Sequence, residues 1–153
     1  MKYDSIRNLR EDKDLTQEQV GYAINVPQRT YAYYEAGERM IALNALIALA
    51  IFHEVSIDYI VGLTNDSTLI KRRRRRHIPR LRIRDLREDS DFTQQFIADY
   101  LQCNQSQYSR YDRELSEIPV PMLAKLAQLY NVSIDYLVGL TDDKTPSDRS
   151  KKR

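Results

Sequence analysis

Apolar residues follow a helical spacing through the stretch from Leu15 to Gly37, LTQEQVGYAINVPQRTYAYYEAG. Val20, Ala23 and Ile24 recur at intervals of three and four residues, which is typical of one buried helix face. The stretch therefore begins with a short amphipathic helix, and the remainder of the chain is arranged around it.

The polar residues in this stretch mark where helices begin and end. Thr16 is suited to the N-cap, and Gln19 completes the spacing of a capping box. Asn25 follows the helix and tolerates the left-handed backbone of a tight turn. Pro27 suits the first position of a second helix, because its missing N–H needs no partner there.

The second helix is predicted from Gln28 to Glu35, with Tyr31 and Tyr34 pointing inward. Its open side then carries Gln28, Arg29, Thr30 and Tyr33. Two short helices joined by such a turn indicate a helix-turn-helix, whose second helix enters the DNA major groove.

The same pattern occurs twice. Residues Ile6–Asp66 (repeat one) align without a gap with residues Ile83–Asp143 (repeat two), at an offset of 77 and with about 25 identities over 61 positions. Val-Ser-Ile-Asp-Tyr, for example, occurs at 55–59 and again at 132–136. The sequence thus predicts an all-α fold of two tandem five-helix domains joined by a basic linker. The predicted segments are a first domain (1–66), an Arg-rich linker (67–81), a second domain (82–143) and a basic disordered tail (144–153).

The remaining helices follow from the same reasoning. Helix one is predicted at about Ile6–Lys13 and Leu81–Ser90, with its Arg, Glu and Asp residues on a solvated face. In repeat two, helices two and three are predicted at Thr93–Leu101 and Gln105–Asp112. The fifth helix of each repeat starts at a Ser N-cap and ends at a Gly.

The fourth helices differ between the repeats. Repeat two places Lys125 and Gln128 on one face, whereas repeat one is apolar nearly all round and has Ile47, Ala48 and Ile51 at the corresponding region. A helix that is apolar all round is usually covered on both sides. A larger local core would explain this pattern, but we favour an association surface formed by Ile47, Ala48 and Ile51.

Charge is segregated along the chain. Residues 1–66 have a net charge of −4 and residues 83–143 of −6, whereas residues 67–82 carry +8 and the tail +4. Acidic domains neutralise few phosphates, so the linker gains importance for any DNA binding. Its run of six cations consists of Lys71, Arg72, Arg73, Arg74, Arg75 and Arg76. We predict that these residues clamp phosphates; a soluble spacer and an arm in the minor groove are the alternatives.

Other classes of protein find little support. The single cysteine, Cys103, excludes an internal disulfide and fits a reducing cytoplasm. No membrane span or signal peptide is expected. No nucleophile motif, phosphate loop or metal-ligand cluster is present, so we expect neither an enzyme nor a cofactor. His53 and His77 are each expected to be solvated.

Both repeats resemble the lambda-repressor/Cro-type helix-turn-helix, also called the xenobiotic-response-element family. The resemblance rests on Leu15-Thr16-Gln17 with Tyr34-Glu35-x-Gly37, and on Phe92-Thr93-Gln94 with Tyr111-Asp112, each followed by Val-Ser-Ile-Asp-Tyr. It covers about 120 of the 153 residues. It implies a compact five-helix DNA-binding domain in a phage or bacterial regulator.

The resemblance also implies which residues contact DNA. Gln17 and Gln94 are expected to bind phosphate, and residues on the outer face of helix three are expected to read bases. The full predicted set is Thr16, Gln17, Gln28, Arg29, Thr30, Tyr33 and Arg39 in repeat one, and Thr93, Gln94, Gln105, Ser106, Gln107, Arg110 and Arg113 in repeat two. Gln can pair bidentately with adenine and Arg with guanine.

Three departures from the family pattern affect this expectation. Repeat one has Pro27 before helix three and an aromatic Tyr33 on the exposed face, and repeat two has Glu114 in place of the glycine after helix three. Glu114 and Glu117 also place negative charge where a phosphate contact is often made. We therefore expect an asymmetric operator, and repeat one partly adapted to association.

The leading hypothesis is a double-stranded DNA-binding transcriptional regulator in the bacterial cytoplasm and nucleoid, a repressor that covers promoter DNA and forms a homodimer through repeat one. The alternative is a protein-interaction module, such as an antitoxin or anti-regulator, whose apolar fourth helix docks on a protein partner.

Overall fold

The computed structural model describes residues 3–67 and 80–146, which fold entirely into α-helices, turns and loops. The described residues fall into two compact units, one for each repeat. Repeat one contains α1 (Asp4–Asp12), α2 (Gln17–Ala23), α3 (Gln28–Ala36), α4 (Leu43–His53) and α5 (Ile57–Ile60). Repeat two contains α6 (Ile83–Asp89), α7 (Gln94–Leu101), α8 (Gln105–Asp112), α9 (Val120–Tyr130) and α10 (Ile134–Leu137). The predicted fold class is confirmed.

Each repeat buries its own apolar core. The largest fully buried side chains include Ile6, Tyr31, Leu46, Leu49 and Ile57 in repeat one, and Ile83, Ile97, Tyr108, Leu123 and Leu126 in repeat two. Tyr31 and Tyr34 are both buried, as their spacing predicted. These cores hold the two helices of each helix-turn-helix against the rest of the repeat. Within the described part of the chain, no helix is long and apolar enough to cross a membrane.

Three predicted helix starts differ from the structure by one or two residues: α1 starts at Asp4 rather than Ile6, α7 starts at Gln94 rather than Thr93, and α6 starts later than predicted. Helix α3 starts at Gln28 as predicted, but Pro27 does not take the predicted first helical position. Pro27 is the N-cap of α3 rather than its first helical residue, because its ψ of 147° is extended, and its carbonyl accepts the N–H of Tyr31. Helix α6 starts at Ile83 rather than Leu81, since the backbone N–H of Arg82 donates to the carbonyl of Leu137 instead of entering a helix.

Left-handed residues end several helices. Asn25 has a φ of 61°, as predicted, and Gln102 adopts the same φ at the corresponding turn of repeat two. Gly37 ends α3 with a φ of 74°, whereas Glu114 occupies the corresponding position after α8 with a φ of 58°. A side chain in this region costs roughly 1–2 kcal/mol relative to glycine. Repeat two thus retains the turn despite the unfavourable residue.

Helix α4 buries more of its surface than an ordinary amphipathic helix. Ala45, Leu46, Leu49 and Ala50 are buried, and the residues of the predicted association surface are half-buried. The half-buried residues are Ile47, Ala48 and Ile51. Apolar side chains therefore surround the helix, and association through these three residues stays a prediction.

The expectation that His53 is solvated is wrong. His53 is the last residue of α4 and is 4% exposed, because its position faces the core one turn after Leu49. Neither ring nitrogen has a hydrogen-bond partner in the described part of the chain. Burial, with a smaller contribution from the charge of Lys13, lowers the pKa of His53 to about 4. His77 lies outside the described residues.

Candidate nucleic-acid interface

The first helix of each helix-turn-helix is fixed at its N-terminus by a threonine. Thr16 Oγ1 accepts the backbone N–H of Gln19 at 3.1 Å, and Gln19 Oε1 accepts the backbone N–H of Thr16 at 2.8 Å, so the predicted capping box is present. Thr93 Oγ1 accepts the backbone N–H of Phe96 at 3.0 Å in the same way. These caps place Gln17 and Gln94 at the first helical position of α2 and α7.

The turn between the two helices brings them into close contact. The N–H of Val26 donates to the carbonyl of Gly21 at 2.9 Å. A Cβ added to Gly21 would lie 2.9 Å from the carbonyl oxygen of Val26, which is shorter than real Cβ contacts. Repeat two carries Ala98 at this position, fully buried. In repeat one the backbones of α2 and of the turn therefore approach closely enough to favour glycine.

A buried carboxylate lies behind α3, and a second one lies behind α8. Arg10 donates from Nε to Glu35 Oε1 at 2.6 Å and from Nη2 to Oε2 at 3.2 Å. Arg87 donates from Nε to Asp112 Oδ1 at 3.0 Å and from Nη2 to Oδ2 at 3.1 Å. The side chains of Glu35 and Asp112 are each 1% exposed. Each pair ties the first helix of a repeat to its third.

Burial alone would raise the pKa of both carboxyl groups. Hydrogen bonds from Arg10, Gln17 and Tyr31 outweigh burial and hold the pKa of Glu35 below its usual value. Arg87 leads the corresponding set that lowers the pKa of Asp112. Both groups are therefore carboxylates, which only accept hydrogen bonds.

Each carboxylate orients two glutamines in series. Gln17 Nε2 donates to Glu35 Oε2 at 3.0 Å, which turns its Oε1 toward Gln28, and Gln28 Nε2 donates to that oxygen at 2.9 Å. In repeat two, Gln94 Nε2 donates to Asp112 Oδ2 at 3.3 Å, and Gln105 Nε2 donates to Gln94 Oε1 at 2.6 Å. Gln28 and Gln105 each retain one N–H and one carbonyl oxygen, the donor and acceptor that adenine requires in the major groove.

The rest of the outer face differs between the repeats. In repeat one, Arg29 Nε donates to the hydroxyl of Tyr33 at 2.9 Å, and the guanidinium of Arg39 lies 5.2 Å from the Tyr33 ring centroid. In repeat two the corresponding positions hold Ser106, Arg110 and Ser116. Arg110 Nε donates to Ser116 Oγ at 2.9 Å. Repeat one thus has an aromatic ring in contact with two arginines, where repeat two has a single arginine oriented by a serine.

The other predicted contact residues do not belong to the glutamine series or to the contacts around Tyr33 and Arg110. Thr30 is half-buried on α3, and Ser106 is exposed on α8. Gln107 Nε2 donates to the hydroxyl of Tyr111 at 2.9 Å, and Arg113 Nε donates to the carbonyl of Ser109 at 3.4 Å. Both therefore lie along their own helix. The predicted phosphate clamp, Lys71–Arg76, lies outside the described residues.

Sequence reasoning missed the buried pairs. Arg10 and Arg87 were assigned to a solvated face, but their side chains are only 14% and 12% exposed. The repeat carried a usable signal: arginine occurs at both 10 and 87, and an acid at both 35 and 112, 25 residues later in each case. A structural pair kept in both copies explains that coincidence better than two solvated faces do.

Comparison with known proteins agrees with this geometry. Residues 6–60 and 83–137 each match the helix-turn-helix family, so the chain belongs to that family and carries two copies of its domain. The resemblance inferred from the sequence is confirmed. Among the described residues, no cluster of His, Cys, Asp or Glu is arranged to hold a metal ion.

Two curated proteins of Bacillus subtilis (strain 168) are similar to part of the chain. One, an uncharacterized HTH-type transcriptional regulator, YobD, is 40% identical over 65 residues, covering 42% of this chain and 58% of its own length. The other, the HTH-type transcriptional regulator ImmR, is 36% identical over 58 residues, covering 38% of this chain and 46% of its own length. The chain spans about half the length of these relatives. No solved structure matches it significantly.

Proposed function

We propose that the chain is a sequence-specific, double-stranded DNA-binding transcriptional regulator that inserts α3 and α8 into the major groove. The observation that carries this proposal is that α3 and α8 each begin with an oriented glutamine, Gln28 and Gln105 respectively. A glutamine anchored through a second glutamine to a buried carboxylate loses little side-chain freedom on binding, and that lowers the entropic cost of reading a base. Both regulators that resemble the chain carry helix-turn-helix names, which supports the same assignment.

The proposed mode of action is repression in the bacterial cytoplasm by covering promoter DNA. The family match and the origin of the relatives in a bacterium support the location. Each domain is acidic overall, so the proposal assigns phosphate neutralisation mainly to Lys71–Arg76 of the linker. Base reading and phosphate binding are then separated along the chain.

Self-association through α4 is a second element of the proposal. Ile47, Ala48 and Ile51 are half-buried in repeat one, whereas Lys125 and Gln128 are exposed at two of the three corresponding positions in repeat two. Covering the three apolar residues with a second copy would remove them from water. A protein partner docking on the same residues is the competing occupant, and it would make the chain an anti-regulator or antitoxin.

Selection from randomised duplex DNA at physiological salt tests the function. We expect two enriched boxes at a fixed spacing, each containing an A·T pair read by Gln28 or Gln105. Gln28→Ala should relax one box and Gln105→Ala the other, by about 1–3 kcal/mol of base discrimination. Gln128→Ala, on the exposed face of α9, is the control and should leave both boxes unchanged. Absence of any enriched sequence would contradict the proposal and favour the protein-interaction alternative.

A further inference from the structure

Repeat two contains a guanidinium site built from its own chain. Arg82 donates from Nη1 to the carbonyls of Tyr136 at 2.8 Å and Thr141 at 2.5 Å, and from Nη2 to Asp142 Oδ1 at 2.5 Å. The centre of its guanidinium lies 4.2 Å from the ring centroid of Tyr136. Two carbonyls, one carboxylate and one aromatic face thus surround a planar cation, each a favourable partner for it.

Repeat one has a serine at the corresponding position and a cavity beside it. Ser5 aligns with Arg82 at the offset of 77, and its Oγ donates to the carbonyl of Ile60 at 2.7 Å. The cavity has a volume of about 340 Å³. Its lining includes Asp4, Ser5, Asn8, Tyr59, Thr64 and Asn65. This volume falls within the roughly 300–1,000 Å³ of small-molecule pockets.

The walls of this cavity match the surroundings of Arg82. Tyr59 and Thr64 line the cavity and are identical to Tyr136 and Thr141 at the aligned positions, the residues that supply the aromatic ring and the two carbonyls around Arg82. Asn65 replaces Asp142 and keeps a carbonyl oxygen without the charge. Asp4 also lines the cavity and carries a carboxylate. Repeat one therefore has components of the same kind, and among the described residues a serine stands at the position of the arginine that fills the site in repeat two.

We propose that this cavity in repeat one is a binding pocket for a guanidinium group. The ligand class is a compound or side chain ending in a planar, fork-shaped cation; an ammonium is a poor substitute, because it is a point charge and presents no planar face for stacking on Tyr59. The guanidinium can come from free arginine or from an arginine side chain of the chain itself. The pocket is independent of the DNA-reading residues, so its test and the test of DNA binding can fail separately.

Titration of the isotope-labelled full chain with L-arginine, followed by amide NMR, tests the pocket. We expect saturable shifts at Ser5, Asn8 and residues 59–65, and at least about tenfold weaker binding of L-lysine. Shifts of equal size with both amino acids, or no saturable shift at these residues, would overturn the proposal.

Two variants taken from the repeats themselves sharpen the test. Ser5→Arg places the arginine of repeat two in the pocket of repeat one and should abolish arginine binding there while the chain stays folded. Arg82→Ser opens the site of repeat two and should create arginine-dependent shifts at Tyr136 and Thr141. If Arg82→Ser does not fold alone, recovery of its folded spectrum in L-arginine but not in L-lysine also shows that the opened site binds a guanidinium group. Unchanged arginine binding in Ser5→Arg would place the ligand elsewhere and overturn the proposal.

A third variant distinguishes the source of the guanidinium. Replacing Arg72–Arg76 with glutamine removes five arginines of the chain that could compete for the pocket. Tighter binding of L-arginine to this variant than to the parent chain, by several-fold, supports a side chain of the protein as the natural ligand. Equal affinity supports a free guanidinium compound.

Discussion

Glu35 shows how one buried residue can link stability to the orientation of an exposed glutamine, Gln28. Its carboxylate accepts hydrogen bonds from Arg10 and Gln17, and Gln17 in turn orients Gln28. The same arrangement is built around Asp112, whose side chain is one methylene shorter, with bond distances of 3.0 and 3.1 Å to Arg87. The position is therefore defined by a negative charge that can reach both the arginine and the glutamine, and not by one particular side chain.

Removing that charge should destabilise repeat one. Glu35→Gln removes the buried anionic partner of Arg10, and we expect a loss of about 2–3 kcal/mol in the free energy of unfolding. This is less than the roughly 3–5 kcal/mol of a fully buried pair, because Arg10 retains some contact with water. Urea unfolding measures this change in the free energy of unfolding. Glu11→Gln is the matched control, since Glu11 is an exposed partner of Arg10 at 3.8 Å, and it should change stability by less than about 1 kcal/mol.

Buried His53 makes a separate prediction about pH. Its pKa is lowered to about 4 in the folded chain, against 6.5 in the unfolded chain, so the unfolded chain binds more protons between these values. Stability should therefore be complete above pH 6.5 and fall as the pH drops toward 4, by on the order of 2–3 kcal/mol. Unfolding measured at intervals across this window gives the slope.

His53→Phe separates this effect from the carboxylates. Glu35 and Asp112 have lowered pKa values, so their contribution is present above the ordinary pKa of a carboxyl group and is lost only at more acidic pH. The variant should keep that acid sensitivity and lose the slope between pH 6.5 and 4.5. An unchanged slope in His53→Phe would assign the effect to other groups.

At the scale of elements, α4 and α9 occupy the same place in the two repeats with different outer faces. Ile51 of α4 is half-buried and corresponds to the exposed Gln128 of α9. If α4 mediates association, Ile51→Lys should dissociate the homodimer in sedimentation equilibrium while leaving the helical spectrum intact, because a lysine stem can extend its charge into water from this position. Gln128→Lys adds the same charge to repeat two and should leave association unchanged. A monomeric parent chain would contradict the prediction.

The helices themselves were predictable because their signals are local. Thr16 and the two Ser N-caps, Ser56 and Ser133, each act within three residues, and all accept the expected backbone N–H. Periodicity predicted the inward tyrosines for the same reason. The errors at Pro27 and Leu81 are shifts of one or two residues at helix ends, where the choice depends on a single backbone dihedral angle.

The site was only partly predictable, because it depends on contacts across sequence. The open side of α3 follows from periodicity, so the candidate base-reading residues could be named. The link from Arg10 to Glu35 spans 25 residues, and nothing local distinguishes Arg10 from the solvated arginines beside it. Burial of His53 likewise depends on how α4 packs, and a histidine at a helix end does not reveal that.

At the scale of the whole molecule, the separation of charge predicts where the salt dependence of DNA binding arises. Neutralising Arg72–Arg76 to glutamine should weaken binding to all sequences alike. The slope of log K against log salt should flatten by about 0.9 for each phosphate that is no longer neutralised. Binding isotherms at several salt concentrations measure the slope. A slope equal to that of the parent chain would exclude the phosphate clamp.

The duplication also predicts the form of the operator. Gln28 and Gln105 are held by equivalent hydrogen bonds, so both half-sites should contain the same A·T pair. The next contacts differ. Arg110, whose Nε is held by Ser116, has two Nη groups that suit guanine O6 and N7, whereas Tyr33 has an aromatic ring that suits a thymine methyl. The two half-sites should therefore share one base pair and differ at another.

Exchanging these residues tests the assignment within one chain. Arg29→Ser, Tyr33→Arg and Arg39→Ser together give repeat one the outer face of repeat two, so selection from random duplexes should return two like half-sites, with G·C replacing A·T at the position read by residue 33. Tyr33→Phe alone is the control: it keeps the ring, releases Arg29, and should preserve A·T there. Half-sites that stay unlike in the triple variant would mean that the asymmetry comes from elsewhere in the repeats. Half-sites already alike for the parent chain would show that residues 33 and 110 do not read the base pair, even though both lie on the outer face.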